Sequence, residues 1–410
     1  MGNSFIENSL MKNLTPELLI IICSSIVVLS YLFSILSRYI RVPSVLLLLA
    51  AGICARIVAN NNNLQIVFPE HLTEILGSVG LIMIVLEAGL DLKLSRDKVK
   101  LIRNSFFAAL IIFIISAAGI AEVLHYWLNE GLIKCIVYAI PLSIMSSSIV
   151  IPSLHHLSEA KKEFLVYEAS FSDIIGILVF NYFIGKEVLS GAAIGMFFLN
   201  IIIAIVLSLI FSIILFIIIT KSSLNVRFFL IFALLLILYE GGKLFNLPSL
   251  IIIMMFGLLM NNWDIVKITR INLWFPKEKV DETKLLLHSL TAESSFLIRT
   301  FFFILFGFSI DIKAAMQSEV VLIGSALVLV LFLSRFLYLR FFLRESVYPE
   351  VMFIPRGLIT ILLFYKIPPS FSLKTFDGGI LFFVILLSAV IMMLGMIFYK
   401  KKTEDLVEDE

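Results

Sequence analysis

Runs of apolar residues long enough to cross a lipid bilayer recur along nearly the whole chain, and no other feature narrows its possible folds so sharply. They fall at about 16–37, 43–59, 75–93, 103–127, 133–153, 163–184, 190–220, 225–240, 246–261, 286–308, 317–341, 350–367 and 377–399. A helix needs about 20 apolar residues to span the hydrocarbon core, and only closed hydrogen-bonded structures survive there. The runs predict an all-α polytopic membrane protein of about thirteen transmembrane helices, with those at 43–59, 225–240, 246–261 and 350–367 on the short side. Composition agrees. The chain is 60% hydrophobic and 15% charged, with a mean hydropathy of +1.06, whereas about 25% charged is usual for a soluble domain.

The basic residues orient the spans. With the C-terminus cytoplasmic, the inside segments hold 21 Lys and Arg, the outside segments 8, and three arginines lie within spans. Cytoplasmic loops carry such an excess, so an odd helix count with the N-terminus outside is expected. Cys23, Cys54 and Cys135 sit in or beside apolar runs with no ligand spacing, which argues against a disulfide framework or a zinc site. No signal-peptide or myristoylation pattern is read at the N-terminus. No phosphate-cradling loop appears, so neither nucleotide nor nucleic acid is an expected partner, and no cofactor is expected.

The two halves echo each other. Val42-Pro43-Ser44-Val45 leading to Gly52 resembles Leu247-Pro248-Ser249-Leu250 leading to Gly257. Leu86-Glu87-Ala88-Gly89-Leu90-Asp91-Leu92-Lys93 resembles the stretch from Leu305 to Lys313. Each pair is seven helices apart, which reverses direction through the membrane. The expected architecture is a single transporter-like domain over 1–410 with a six-plus-six inverted repeat. Repeat one covers about 16–185, a linker helix about 190–220 and repeat two about 225–400, followed by a short acidic tail at 401–410. Inverted repeats place a binding site at the midplane between the halves. The basic and apolar stretch 262–285 reads as a cytoplasmic connector resting on headgroups.

Charged residues inside the spans point to the chemistry. A charge at the bilayer centre costs about 2.5–3.5 kcal/mol even on lenient scales, and Glu87, Glu168, Asp173, Arg335 and Arg356 all lie there, with Arg299 and Glu293 as a lesser pair. Glu168 and Asp173 are five apart, about 140° around a helix, so they face different surroundings. Asp173 is the candidate ion-binding residue and Glu168 a scaffold residue. Pro141, Ser146-Ser147-Ser148 and Pro152 break one helix, and Pro355 and Gly357 break another seven helices later. Unwound backbone persists in a membrane only where protein buries it or it lines a cavity, and its carbonyls and hydroxyls suit a small cation.

These motifs together resemble the membrane domain of the monovalent cation:proton antiporter superfamily, the sodium/proton exchangers. Glu168-x-x-x-Ser172-Asp173 sits where electroneutral members carry Glu-Ser-x-x-Asn-Asp, and Ile354-Pro355-Arg356-Gly357-Leu358 resembles their Arg-Gly motif. Phe332-Leu333-Ser334-Arg335 and Leu86-Glu87-Ala88-Gly89-Leu90-Asp91 resemble two further motifs, and the likeness spans about residues 16 to 400. The resemblance implies that Asp173 binds Na+ (or Li+) and H+ in turn, with Ser172 and the Ser146–Ser148 oxygens completing the shell. It implies that Glu168 pairs with Arg335 and that Arg356 offsets half-helix dipoles at the crossing. A homodimer in a bacterial-type inner membrane and a role in pH homeostasis are implied too. Helices 4–6 and 11–13 are expected to move against a scaffold of helices 1–3 and 8–10.

The chain departs from that pattern in two places. Ser172 is neither Asn nor Asp, and Ser146-Ser147-Ser148 is closer to the Ser-Ser-Thr of the potassium-efflux branch, which leaves K+/H+ exchange as the alternative. One carboxylate beside a hydroxyl favours one-for-one exchange. Glu87 reads either as a second proton site or as an interface acid, and Arg299 either snorkels or meets Glu87. An organic-anion symporter on this fold would want a cationic pocket instead of Asp173. An intramembrane aspartyl hydrolase would need Asp377 to share a site with Asp173, and a signalling or structural membrane protein would tolerate neutral Asp173.

Overall fold

The computed structural model describes residues 16–61, 70–184, 195, 199, 202, 203, 205–211, 213, 214, 227–244, 249–263, 277–310, 312–343 and 347–399. Among them every regular element is helical. In chain order these are α1 (Pro16–Ile40), α2 (Ser44–Asn61), α3 (Glu70–Asp91), α4 (Val99–Leu128), α5 (Leu132–Ser143), α6 (Ser147–Val150) and α7 (Glu159–Phe183). After them come α8 (Arg227–Leu244), α9 (Ser249–Asn261), α10 (Lys277–Ser309), α11 (Ile312–Ala315), α12 (Ser318–Tyr338), α13 (Leu358–Tyr365) and α14 (Gly378–Phe398). Most of the expected linker at 190–220, all of the tail at 401–410, Leu247, Pro248 and Asp311 lie outside the described residues.

Among the described residues, seven stretches are long and apolar enough to cross a membrane: Ile20–Ser37, Ser44–Asn61, Val99–Leu128, Leu132–Leu154, Asp281–Ser309, Ser318–Phe342 and Gly378–Phe398. On the expected crossings at 75–93, 163–184, 225–240 and 246–261 lie α3, α7, α8 and α9, which are shorter or carry charge. α7 carries Glu159, Lys161, Lys162 and Glu163 in its first turns, and the candidate residues Glu168 and Asp173 within its apolar stretch.

Local chemistry sets several of the ends. α4 stops at Asn129, which takes the left-handed conformation (φ 52°) and donates its N–H to the His125 carbonyl; asparagine is among the few residues that adopt this readily. α14 starts at Asp377, whose carboxylate accepts from the Gly379 N–H at 2.6 Å, a side-chain cap for an otherwise orphan donor. The rival hydrolase reading needed Asp377 at the site, and Asp377 is instead engaged at the end of its own span.

The helices pack as two groups. α2 lies on α10, α3 on α9 and α10, α1 on α2, and α8 on α9. In the other group α4 packs on α5, α7 and α12, and α14 on α12. Within the first group the contacts are reciprocal: α2 crosses α10, and α3 crosses α9. Glycines let these crossings close. A Cβ at Gly52 would stand 2.2 Å from the Ile304 carbonyl oxygen, and one at Gly307 2.5 Å from that of Leu49. Gly89 and Gly257 meet the backbones of Met254 and Leu86 in the same manner.

Candidate cation and proton site

In the second group, two helices lose their regular backbone at the same level. α5 carries Pro141, runs out at Ser143, and passes through extended Ile144 and Ser146 before α6 resumes at Ser147. In the other half, the 3-10 turn Glu350–Met352 gives way to irregular backbone through Gly357, and α13 starts at Leu358. The breaks touch where the Ser146 N–H donates to the Pro355 carbonyl at 3.0 Å. Gly357 permits this approach, because a Cβ there would lie 2.2 Å from Ser146 Oγ.

Asp173 projects from α7 at this crossing and is 2% exposed. Ser147, the first residue of α6, donates its hydroxyl to Asp173 Oδ2. Asp173 Oδ1 is buried and has no hydrogen-bond partner among the described residues. Beside the carboxylate is a cavity of about 20 Å³, lined by Asp173 and by aliphatic side chains that include Val85, Ala88, Leu250, Met254 and Ile359. It lies in the seam between the two groups of helices and has room for about one water-sized species. Ser172 faces elsewhere: its Oγ accepts from the Met145 N–H at 2.9 Å, so it braces the unwound backbone. Ser146 and Ser148 share a hydroxyl–hydroxyl bond of 2.9 Å. Of the four serines expected around Asp173, Ser147 is the one bonded to it.

The remaining core charges are held separately. Arg335 donates to both oxygens of Glu168, at 2.5 and 2.8 Å, and through Nε to the Glu350 carbonyl at 2.5 Å. Arg356 donates through Nε to the Leu142 carbonyl at 2.6 Å and through Nη1 to Ile354 and Pro355 at 3.2 and 3.3 Å. Those carbonyls belong to the end of α5 and to the second break, where backbone acceptors lack helical partners and carry partial negative charge. Glu168 is committed to Arg335. Two buried carboxylates here keep one unpartnered oxygen among the described residues: Asp173, and Glu350, whose other oxygen pairs with Lys161.

The same organisation is found in known proteins. A family model described as sodium/hydrogen exchanger, transmembrane, matches residues 24–399. The chain belongs to the sodium/hydrogen exchanger family. By sequence, no curated protein matches this exchanger. By structure, it is similar to the sodium proton antiporter MjNhaP1 from Methanocaldococcus jannaschii at pH 8. That match has a TM-score of 0.71 and 19% identity, covering 92% of this chain and 98% of that one. It is also similar to an electron-microscopy structure of the same antiporter, with a TM-score of 0.63 and 18% identity, covering 95% and 100% of the two chains. The exchanger is therefore a multi-pass membrane protein, and its family and fold are those of transporters.

Outside the crossing, the exchanger pairs Glu87 on α3 with Arg299 on α10 at 3.1 and 3.2 Å. Arg299 thus meets Glu87, one of its two expected fates. Glu293 accepts instead from Tyr31 Oη of α1 at 2.8 Å. The side chains of His155 and His156 lie outside the described residues.

Three participants escaped the sequence reading. Glu350 offers its carbonyl to Arg335 and its carboxylate to Lys161 at 2.9 Å. Ser388 accepts the Arg356 N–H at 3.1 Å. Met145 brings its sulfur within 3.5 Å of Arg335 Nη1. Ser388 had a weak signal as a hydroxyl within the apolar run at 377–399. For a backbone carbonyl or a thioether, residue type gives no signal at all.

Proposed function

We propose that this exchanger carries a monovalent cation, Na+ (or Li+) foremost, against H+ by alternate occupancy of Asp173. One observation supports this above the rest: a buried carboxylate with one oxygen bonded to Ser147 and the other unpartnered, between two unwound helices. A small hard cation wants oxygen ligands, and a proton competes for the same negative charge. Leaving Asp173 charged and empty in an apolar seam is costly, so loaded forms move between the two faces more readily than the empty one. Exchange follows from that difference. Ser172 is neutral, Glu168 is paired with Arg335 and Glu350 with Lys161, so among the described residues Asp173 is the acid that lines the cavity, and in this reading the exchange is one for one.

In this reading the protein lies in the inner membrane with its N-terminus outside and its C-terminus in the cytoplasm. The exposed apolar face of α1, including Ile21, Val28, Leu32 and Ile35, meets lipid and a second copy of the chain. The hydroxyl-rich Ser146–Ser148 stretch supports K+ as the second candidate cation.

The test is proton flux in proteoliposomes with an imposed pH gradient, adding Na+, Li+ and K+ in turn to the parent and to Asp173→Asn. The expected result is dissipation by Na+ and Li+ in the parent, insensitive to a clamped membrane potential, and none in the variant. Response to K+ alone would reassign the cation, and a folded parent that moves no protons with any of the three would end the antiport reading.

A further inference from the structure

The half-helix α13 follows directly on Arg356 and Gly357 and lines the Asp173 cavity through Ile359. Its far end is fastened to the other group of helices. Lys366, which caps α13, donates to the Tyr239 hydroxyl on α8, and its ammonium stands 5.2 Å from the centre of the Tyr239 ring. Tyr239 is 2% exposed, and α8 packs on α3, α9 and α10. At the opposite end of the bundle, Arg41, between α1 and α2, donates to the carbonyl of Met396 near the end of α14 at 3.5 Å and to that of Tyr399, just past it, at 3.3 Å. Each contact joins the group holding Asp173 to the group formed by α1–α3 and α8–α10, and the two contacts lie on opposite faces of the membrane.

We infer that Lys366–Tyr239 and Arg41 with the α14 end are opposing latches that hold Asp173 shut from both sides. The inference rests on the antiport reading only in naming what the latches regulate. With both contacts made, Asp173 is 2% exposed and the cavity beside it is walled by apolar side chains. For the seam to open toward the Lys366 face, α13 must part from α8; for the other face, α14 must part from Arg41. Releasing one latch therefore favours opening on its own side at the expense of the other. Tyr239 and Lys366 are positioning residues, since neither touches the carboxylate.

The test uses a variant in which Cys23, Cys54 and Cys135 are replaced by Ser and Leu250, on the cavity wall, by Cys. A membrane-impermeant thiol reagent is applied to each face of oriented vesicles in turn. Tyr239→Phe keeps the ring and its packing while removing the hydroxyl; it is expected to speed labelling from the Lys366 face at least threefold. Lys366→Met should do the same, and the double variant no more than either alone. Arg41→Gln should speed labelling from the opposite face and slow it from the Lys366 face. Ile251→Cys, also on the cavity wall, is a second reporter should Leu250→Cys fold poorly. Unchanged labelling in Tyr239→Phe and Lys366→Met, or a shift of the same sign in Arg41→Gln, overturns the latches. Labelling needs no transported ion, so the two readings fail separately. Parental exchange with unmoved labelling sinks the latches alone, whereas opposite labelling shifts in a parent that exchanges nothing sink antiport alone.

Discussion

Arg335 meets Glu168 fork to fork, with hydrogen bonds of 2.5 and 2.8 Å joining α12 to α7 and each side chain 2% exposed. A pair so buried cannot lose one member cheaply, because the other charge is left without a partner in a low-dielectric interior. Breaking such pairs costs about 3–5 kcal/mol. Glu168→Gln and Arg335→Gln should each lower the unfolding midpoint in detergent by that order of stability. The double variant should lose clearly less than the sum, as residues in direct contact are not additive. Additive losses in a thermal double-mutant cycle would mean that the two side chains act independently.

Ser147 contributes the hydroxyl that reaches Asp173, while Ser146 and Ser148 spend theirs on each other. A hydrogen bond to a charged group contributes about 1.5–3 kcal/mol, and 1.4 kcal/mol is about tenfold in a binding constant. Ser147→Ala should raise the apparent KM for the cation by about 10- to 100-fold, and Ser146→Ala by much less. Steady-state flux against cation concentration gives both values. Equal effects at the two positions would place the cation among the serine hydroxyls and away from the Asp173–Ser147 pair.

Much of this was legible in the residues. Charges in apolar runs drew attention to Glu168, Asp173, Arg335 and Arg356, because a bilayer leaves so few reasons to keep them. Proline, serine and glycine marked both helix breaks, since each removes or competes for a backbone hydrogen bond. Which serine reaches the carboxylate was not legible. Ser172 is next to Asp173 in sequence, yet consecutive residues on a helix point about 100° apart, and its hydroxyl turns to Met145. The Lys366–Tyr239 contact was hidden for another reason. A lysine and a tyrosine near span ends read as ordinary interfacial anchors, and nothing in a linear pattern joins positions 127 residues apart.

Gly357 is where steric demand and transport coincide. A Cβ there would lie 2.2 Å from Ser146 Oγ and 3.0 Å from Ile149 Cδ1, so Gly357→Ala must push the breaks apart. The clash falls on side chains, and the helices themselves can form. Gly357→Ala should therefore reach the membrane in normal amount but exchange at least tenfold more slowly, and Ser146→Gly in the same chain should restore part of the rate by making room. A Gly357→Ala protein with parental flux would show that the crossing tolerates a wider spacing than the Ser146–Pro355 bond suggests.

Glu87 and Arg299 offer the sharpest contrast with the crossing. Their pair at 3.1 and 3.2 Å lies between α3 and α10, with side chains 17% and 16% exposed, and water reaches it more easily than Glu168–Arg335. Partial solvation weakens the mutual attraction and also the cost of breaking it, so Arg299→Gln should destabilise the exchanger by less than Arg335→Gln does. In the one-carboxylate scheme, protons and cations compete at Asp173, and the apparent KM for the cation climbs as pH falls, by up to tenfold per pH unit. Glu87→Gln should leave that climb where it is, because the proton in question never resides on Glu87. The measurement is apparent KM from pH 6 to 9 in both proteins. A displacement of the curve by more than about half a pH unit in Glu87→Gln would make Glu87 a second proton site, and one-for-one exchange would then need re-measuring under a clamped potential.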